Sequence, residues 1–145
     1  MNKIIYFIFA LLICSVSFAD KNMKIGSKGK SSDVTRTIVV KMYDNYYEPN
    51  TFNIKKGETV KFEVKNLGEL VHEFNIANPM MHIKHQPEME LMVENEILLG
   101  DRIDKDKMQK MAAMDKSMGH SHSNSVLLAP KEEGTLIWKF ENAVN

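Results

Sequence analysis

The chain has 145 residues, and its 19 lysine and arginine residues balance its 19 aspartate and glutamate residues, so the formal net charge is zero. This balance argues against a nucleic-acid-binding protein and gives no reason to expect attachment to a charged membrane surface. The one cysteine, Cys14, excludes an internal disulfide bond, because such a bond needs two thiols.

Residues 1–19, MNKIIYFIFALLICSVSFA, have the form of a secretory signal peptide. Lys3 supplies the positive start, an apolar run follows, and small residues precede the expected cleavage site after Ala19. The run is too short for a membrane span, which needs about 20 apolar residues. We therefore expect a periplasmic or otherwise exported protein with no membrane attachment after cleavage; a lipid anchor through Cys14, or an uncleaved anchor, is the alternative.

Cleavage removes Lys3 and Cys14, which leaves 18 basic against 19 acidic residues and no thiol. Residues 20–35 are rich in lysine, serine and glycine and predict a flexible tether. Residues 36–145 are expected to form one domain of ordinary size.

Short strands dominate the expected domain. Residues 37–44 are rich in β-branched residues, residues 51–66 alternate as a hairpin does, and residues 70–76 predict a further strand. Residues 125–140 predict a second hairpin. Half-buried strands separated by turn signals are typical of a β-sandwich. The inward residues are expected to be Val60, Phe62 and Val64 in the first hairpin and Leu136, Trp138 and Phe140 in the second.

Residues 77–124 interrupt this pattern and are too long for a plain loop, so we interpret them as a functional insertion. Helical spacing of apolar residues predicts a helix over 86–99, with Pro87 near its start. A second helical stripe, over 104–122, carries methionines at 108, 111, 114 and 118.

Possible metal ligands concentrate in the same region. All five histidines lie between residues 72 and 122, and eight methionines lie between residues 80 and 118. Imidazole and thioether groups together suit copper. The alternative is that the methionines pack as an apolar helix face and that the histidines are solvated or structural, since methionine fills irregular cores well.

The segment YYEPNTFNIKKGETVKFEVKNLGELVHEFNI at 46–76 resembles the cupredoxins, and in particular the exported plastocyanin-like copper proteins associated with copper resistance. The similarity continues through 85–89 and 118–140. It implies a mainly β fold, a cupredoxin-like Greek-key β-sandwich with a Met/His-rich, partly helical insertion. It also implies that His72 is the first ligand of a type 1 blue-copper site.

The family's other ligands, a cysteine, a second histidine and an axial methionine, are expected on and just after a last strand. The sequence ends at Asn145, in the turn where that strand is expected to begin. We therefore expect a domain without its last strand, either because the sequence is truncated, which we favour, or because this is a shortened relative. Without a thiolate the blue-copper centre cannot form. The candidate copper ligands are His72, His85, Met89, Met118, His120 and His122.

Three functions are compatible with these features. The first is an exported copper-binding protein that carries electrons in its complete form. The second is a copper chaperone or sequestering protein that uses the histidines and methionines of the insertion for copper tolerance. The third is a metal-free β-sandwich that binds another protein. The expected partners are copper ions and a redox or copper-transfer protein. An enzyme is the least supported reading, because no arrangement of catalytic residues stands out.

Overall fold

The computed structural model describes residues 25–144. The predicted signal peptide and the first residues of the predicted tether lie outside this range. The strands, in chain order, are β1 Gly26–Lys28, β2 Arg36–Met42, β3 Tyr47–Glu48, β4 Thr59–Asn66, β5 His72–Asn75, β6 Ser125–Leu128 and β7 Glu133–Phe140. The helices are α1 Pro79–Glu94 and α2 Lys105–Ala112, with 3-10 turns at Ser31–Asp33 and Lys116–Gly119.

The strands form two sheets, which together make the mainly β sandwich expected from the sequence. The larger sheet has the order β1-β7-β4-β2-β3, and the smaller sheet pairs β5 with β6. Strands β2 and β4 run parallel, whereas β4 with β7, β1 with β7, and β5 with β6 are antiparallel. Among residues 25–144, no helix is both long and apolar enough to cross a bilayer.

The main core lies between the two sheets. Alternate residues of β4 and β7 face inward, because successive side chains of a strand point to opposite faces. Phe74 of β5 and Leu128 of β6 close the core from the smaller sheet. The inward faces predicted from the sequence are confirmed at Val60, Phe62, Val64, Leu136, Trp138 and Phe140, all of which are buried.

The two predicted hairpins are wrong in their pairing. Ile54 forms only an isolated bridge, with Val144, and β4 pairs instead with β2 and β7. Strand β6 belongs to the smaller sheet, whereas β7 belongs to the larger sheet. Turn signals show where the chain reverses, but in a sandwich the next strand can cross to the opposite sheet.

Part of the predicted tether is a strand. Residues Gly26–Lys28 pair with Phe140, Lys139 and Trp138 of β7, and Gly29 N donates to Ile137 O at 2.9 Å. Strand pairing uses main-chain groups, so the polar composition does not prevent it. Glycine suits the start of this edge, since a Cβ on Gly26 would lie 2.1 Å from Lys139 O.

Helix α1 begins earlier than the sequence pattern predicts. The Asn78 side chain accepts from Met81 N at 2.8 Å, and Pro79 occupies the first turn, so these two residues set the start. Pro87 lies inside the helix rather than at its beginning. The 104–122 stretch is α-helical only from Lys105 to Ala112, where the Asp104 side chain accepts from Lys107 N, and a 3-10 turn follows at Lys116–Gly119.

A second apolar cluster holds the insertion together. Met92, Ile97 and Met118 are buried at its centre, with exposed fractions of 0%, 0% and 6%. Both helices, the loop between them and β6 contribute residues that pack around them: Met89, Leu91, Leu98, Met108, Met111 and Leu127. This arrangement supports the packing interpretation of the methionine stripes, with the exception of Met114, which is 80% exposed.

The insertion leaves and rejoins the sandwich at neighbouring points. Ile76 N donates to Asn124 O at 2.8 Å, and the Asn124 side-chain amide donates to Ile76 O at 3.1 Å and to Asn75 Oδ1 at 2.9 Å. These bonds continue the β5–β6 pairing outward from Asn75 and Ser125. The two ends of the insertion are therefore fastened together at its base.

Candidate metal centre

Three separate segments bring titratable side chains to one place between α1 and β5. Helix α1 supplies His85 and Glu88, which lie on one helix face because they are three residues apart. The segment after the second 3-10 turn supplies His120 and His122, and β5 supplies Glu73. The second apolar cluster fixes this meeting, since Met118 packs with Met92 of α1 just before the two histidines.

The backbone at His120 is in the left-handed region, with φ 44° and ψ 48°. Few non-glycine residues adopt this conformation, although histidine is one of those enriched there. It ends the 3-10 turn and reverses the chain, so that residues 120 and 122 both face α1. Such backbone conformations cluster at functional sites.

The three imidazole rings form a nearly regular triangle. Their centroids lie 5.1 Å apart for His85 and His120, 4.9 Å for His85 and His122, and 5.1 Å for His120 and His122. The planes are inclined by 60°, 85° and 87°, so the rings meet edge to face rather than stack. One nitrogen from each ring lies within 4.8 Å of a nitrogen of each of the other two rings.

Glu73 completes the buried side of this group. Its Oε1 lies 3.3 Å from His85 Nε2 and 3.2 Å from His120 Nε2, and the two Nε2 atoms are 3.3 Å apart. The centre of such a triangle is about 1.9 Å from each corner, close to the 2.0–2.2 Å bonds that imidazole and carboxylate ligands make to a transition metal. These three atoms can therefore bind one ion with little movement.

Glu88 completes the outer side. Both of its carboxylate oxygens lie 2.9 Å from His122 Nε2, and Oε2 lies 3.7 Å from His85 Nδ1. Ligand atoms of His85, Glu88, His120 and His122 all fall within 4.8 Å of one another. His85 and His120 belong both to this group and to the triangle with Glu73, so the two carboxylates lie on either side of the same pair of imidazoles.

Burial differs across the centre. The side chains of His120 and His85 are 4% and 9% exposed, Glu73 and Glu88 are each 15% exposed, and His122 is 35% exposed. A pocket of about 250 Å³, lined by His85, Glu88 and His122 together with Met81, Lys84, Asn75 and Asn124, opens from the centre to solvent.

The charge of Glu73 suits a cation. Burial opposes ionisation, but the hydrogen bond with His120 and the nearby imidazoles of His120 and His85 outweigh it, so the pKa of this carboxyl lies below its usual value. Tyr47 Oη donates to the carbonyl of Glu73 at 2.9 Å and holds the strand in place. Glu73 therefore presents a fixed carboxylate to two histidines.

His72 lies apart from this group. It precedes Glu73 in β5, and its Nε2 lies 2.9 Å from Asp44 Oδ1. Its ring meets that of Tyr47 edge to face, with centroids 6.0 Å apart. Because successive residues of a strand face opposite sides, His72 faces the sandwich side that Phe74 faces, and Glu73 faces the insertion.

The structure thus brings together three of the six candidate ligands, namely His85, His120 and His122. Met89 and Met118 pack in the second apolar cluster, and a ligand role for either, or for His72, stays a prediction. Sequence reasoning missed Glu73 and Glu88. The three-residue spacing of His85 and Glu88 places both on one helix face and could have identified Glu88 as a candidate ligand. Nothing in the sequence distinguishes Glu73 from other strand carboxylates.

Comparison with known proteins gives the same fold as the geometry. The family described as "Cupredoxin-like domain" matches residues 4–103. The chain belongs to this family. The resemblance to cupredoxins inferred from the sequence is therefore confirmed.

Two curated relatives carry the name "Copper-resistant cuproprotein CopI". The chain is 37% identical to the protein from Pseudomonas aeruginosa over 132 residues, covering 81% of this chain and 68% of that protein. It is 26% identical to the protein from Rubrivivax gelatinosus over 125 residues, covering 86% of this chain and 62% of that protein. The chain thus spans about two thirds of the length of these relatives. No solved structure matches significantly.

Proposed function

We propose that this exported chain binds copper through His85, His120 and His122, with Glu73 and Glu88, and contributes to copper tolerance by holding the ion. The observation that carries the proposal is the convergence of the three imidazoles with Glu88, whose ligand atoms lie within 4.8 Å of one another, and the approach of the Glu73 carboxylate to within 3.3 Å of the His85 and His120 nitrogens. The name of the two relatives, "Copper-resistant cuproprotein CopI", supports copper as the metal.

The donor set favours the cupric ion. Imidazole and carboxylate groups suit divalent copper, and a nitrogen and oxygen environment without sulfur is typical of Cu(II) rather than of a blue-copper centre. The bound ion would supply positive charge that neutralises the two carboxylates. Glu73 and Glu88 also orient the imidazoles, since carboxylate partners fix ring position and tautomer.

We infer that the histidine centre binds copper without forming a blue-copper electron-transfer site. Its donors are imidazole and carboxylate groups, whereas a blue-copper centre needs a thiolate. Electron transfer by a complete form, with His72 as a ligand, stays a prediction. Transfer of copper to a partner protein is compatible with the proposal because His122 and the pocket face solvent.

The test is a Cu(II) titration of the purified protein, followed by competition with a chelator and by electron paramagnetic resonance. We expect one tightly bound Cu(II) with hyperfine coupling to several nitrogens. His85→Ala and His122→Ala should each weaken binding by about tenfold or more, as loss of a ligand or of its support does.

His82→Ala is the matched control. His82 is an exposed histidine of the same helix, outside the converging group. Its substitution should leave both affinity and spectrum unchanged. Equal copper affinity in the wild type, His85→Ala and His122→Ala would refute the proposal, and a wild type that retained no copper would favour a metal-free interaction module.

A further inference from the structure

Among the described residues, one methionine lines the pocket that opens from the histidine centre. This methionine does not belong to the second apolar cluster. Met81 lines this pocket together with His85, Glu88 and His122. By contrast, Met92 and Met118 are buried in the second apolar cluster. Met81 is therefore distinguished from the other methionines of the insertion by its position rather than by its residue type.

Helix geometry explains this position. Met81, Lys84, His85 and Glu88 are spaced by three, four and seven residues, so they lie along one face of α1. Met80 lies one residue earlier, which rotates it by about 100° around the helix. It is 53% exposed and does not line the pocket.

Exposure decreases from the mouth of the pocket to its base. Met81 is 36% exposed and the His122 side chain is 35% exposed, whereas the side chains of His85 and His120 are 9% and 4% exposed. An ion that enters from solvent would meet Met81 and His122 first, and would reach the buried nitrogens last. The mouth therefore offers a sulfur and a nitrogen, and the base offers nitrogen and carboxylate oxygen.

These two donor sets suit different oxidation states. Thioether sulfur selects Cu(I), imidazole accepts either state, and carboxylate favours harder ions. Methionine also has three rotatable bonds, so its sulfur can move toward an ion without a change of the backbone. We propose that Met81 and His122, together with the more buried His85, form a cuprous-ion binding position in the pocket that opens from the histidine centre. This inference rests on the proposed copper site and assigns a further ligand to it.

The test compares Cu(I) and Cu(II) affinities of the same variants. Cu(I) affinity is measured without oxygen by competition with a chromophoric cuprous chelator, and Cu(II) affinity by competition with nitrilotriacetate. Met81→Leu should weaken Cu(I) binding by about tenfold, which corresponds to about 1.4 kcal/mol. Its Cu(II) affinity should remain within about twofold of wild type, since the nitrogen and oxygen donors are intact.

Two matched controls are available. Met80→Leu changes the neighbouring methionine in the same helix turn, and Met114→Leu changes a methionine that is 80% exposed after α2. Neither residue lines the pocket, so both variants should bind Cu(I) as the wild type does. Leucine conserves volume at each position, so folding should be retained and can be checked by circular dichroism.

X-ray absorption of the Cu(I)-loaded protein supplies a second readout. Wild type should show a sulfur neighbour to copper, and Met81→Leu should lose it. Unchanged Cu(I) affinity in Met81→Leu, or a sulfur signal that persists in it, would overturn the assignment of Met81 while leaving the Cu(II) site in place. If instead His85→Ala and His122→Ala bound Cu(II) as wild type does, the proposed copper site itself would fail.

Discussion

His72 and Glu73 are consecutive residues of β5 whose side chains serve opposite sides of the strand. His72 Nε2 lies 2.9 Å from Asp44 Oδ1 at the end of the sandwich, and Glu73 Oε1 lies 3.2 Å from His120 Nε2 in the insertion. The position that the cupredoxin resemblance implies as a copper ligand is thus separated from the histidine centre by the thickness of one strand. A substitution of His72 should therefore leave the histidine centre unchanged, and a substitution in the histidine centre should leave the contact of His72 with Asp44 unchanged.

The carboxylates of the centre should matter for copper affinity. Glu73→Gln and Glu88→Gln each keep the side-chain shape but remove a negative charge beside the imidazoles. We expect each to weaken Cu(II) binding by about tenfold, the lower end of the effect of losing a partner of a ligating histidine. Chelator competition measures this change.

Glu90→Gln is the control for these two variants. Glu90 is an exposed residue of the same helix, and its carboxylate accepts from Gln86 Nε2 at 3.1 Å rather than approaching a histidine. Cu(II) affinity should be unchanged. If Glu90→Gln weakened binding as much as Glu73→Gln does, general charge rather than local geometry would be responsible.

Substitutions of Met118 distinguish a role in packing from a role as a copper ligand. Its side chain is 6% exposed in the second apolar cluster, so Met118→Leu should keep the volume and cost less than about 1.5 kcal/mol. Met118→Ala should cost about 2–5 kcal/mol, because it leaves a cavity. Urea unfolding measures both costs.

Copper binding by the same leucine variant completes that experiment. We expect Met118→Leu and Met89→Leu to bind Cu(II) and Cu(I) as the wild type does, since both residues pack in the cluster. A marked loss of affinity in Met118→Leu, without loss of stability, would instead establish its sulfur as a ligand.

The main core should depend strongly on Phe62. Its ring lies 5.2 Å from that of Phe74, 5.8 Å from that of Phe52 and 6.2 Å from that of Phe140, and it is 1% exposed. Phe62→Ala should lower the free energy of unfolding by about 3–5 kcal/mol. This is a large part of the 5–15 kcal/mol typical of a domain. Val39→Ala, at a residue that is 43% exposed, should cost far less.

Glu132 should give the fold a defined acid dependence. The pKa of its carboxyl lies below the usual value, mainly because Lys105 donates to it, with Ala129 N as a further donor. Its ionised form therefore stabilises the folded chain above the unfolded-state pKa of about 4.3, and this stabilisation disappears as pH falls through the lower folded-state pKa. Glu132→Gln should be less stable than wild type near pH 7 and equal to it at low pH.

Urea unfolding across this pH range measures the difference. Glu94→Gln, at an exposed residue near the end of α1, should follow the wild type throughout. A constant stability difference between Glu132→Gln and wild type at every pH would mean that packing, rather than charge, explains the role of Glu132.

The sequence predicts which residues form a strand, and which of them are buried, better than it predicts which strands pair with one another. The alternation around Phe62 identifies a half-buried strand, because burial on one face leaves a two-residue period. The same period does not say that β4 lies between β2 and β7. Sheet order depends on contacts between distant segments, and these leave no local pattern.

The candidate site shows the same limit. The clustering of histidines in one insertion was sufficient to identify His85, His120 and His122 as candidate metal ligands, because few other functions require several histidines in one segment. His85 and His120 are 35 positions apart in the sequence and are brought together by packing around Met92 and Met118, so the sequence could not show which carboxylates join them. Glu73 is one of 19 acidic residues, and only the fold separates it from the others.

The hydrogen bonds between Ile76 and Asn124 hold the two ends of the insertion together, which makes the insertion a candidate for transfer to another protein. Strands β5 and β6 already pair as the two arms of a hairpin, and residues 77–124 occupy the place of its turn. This segment carries the donors of the histidine centre except Glu73, and the residues of the second apolar cluster except Leu127 of β6. Transplanting the centre to another antiparallel hairpin therefore requires a carboxylate at the position of Glu73 on the first arm and an apolar residue at the position of Leu127 on the second.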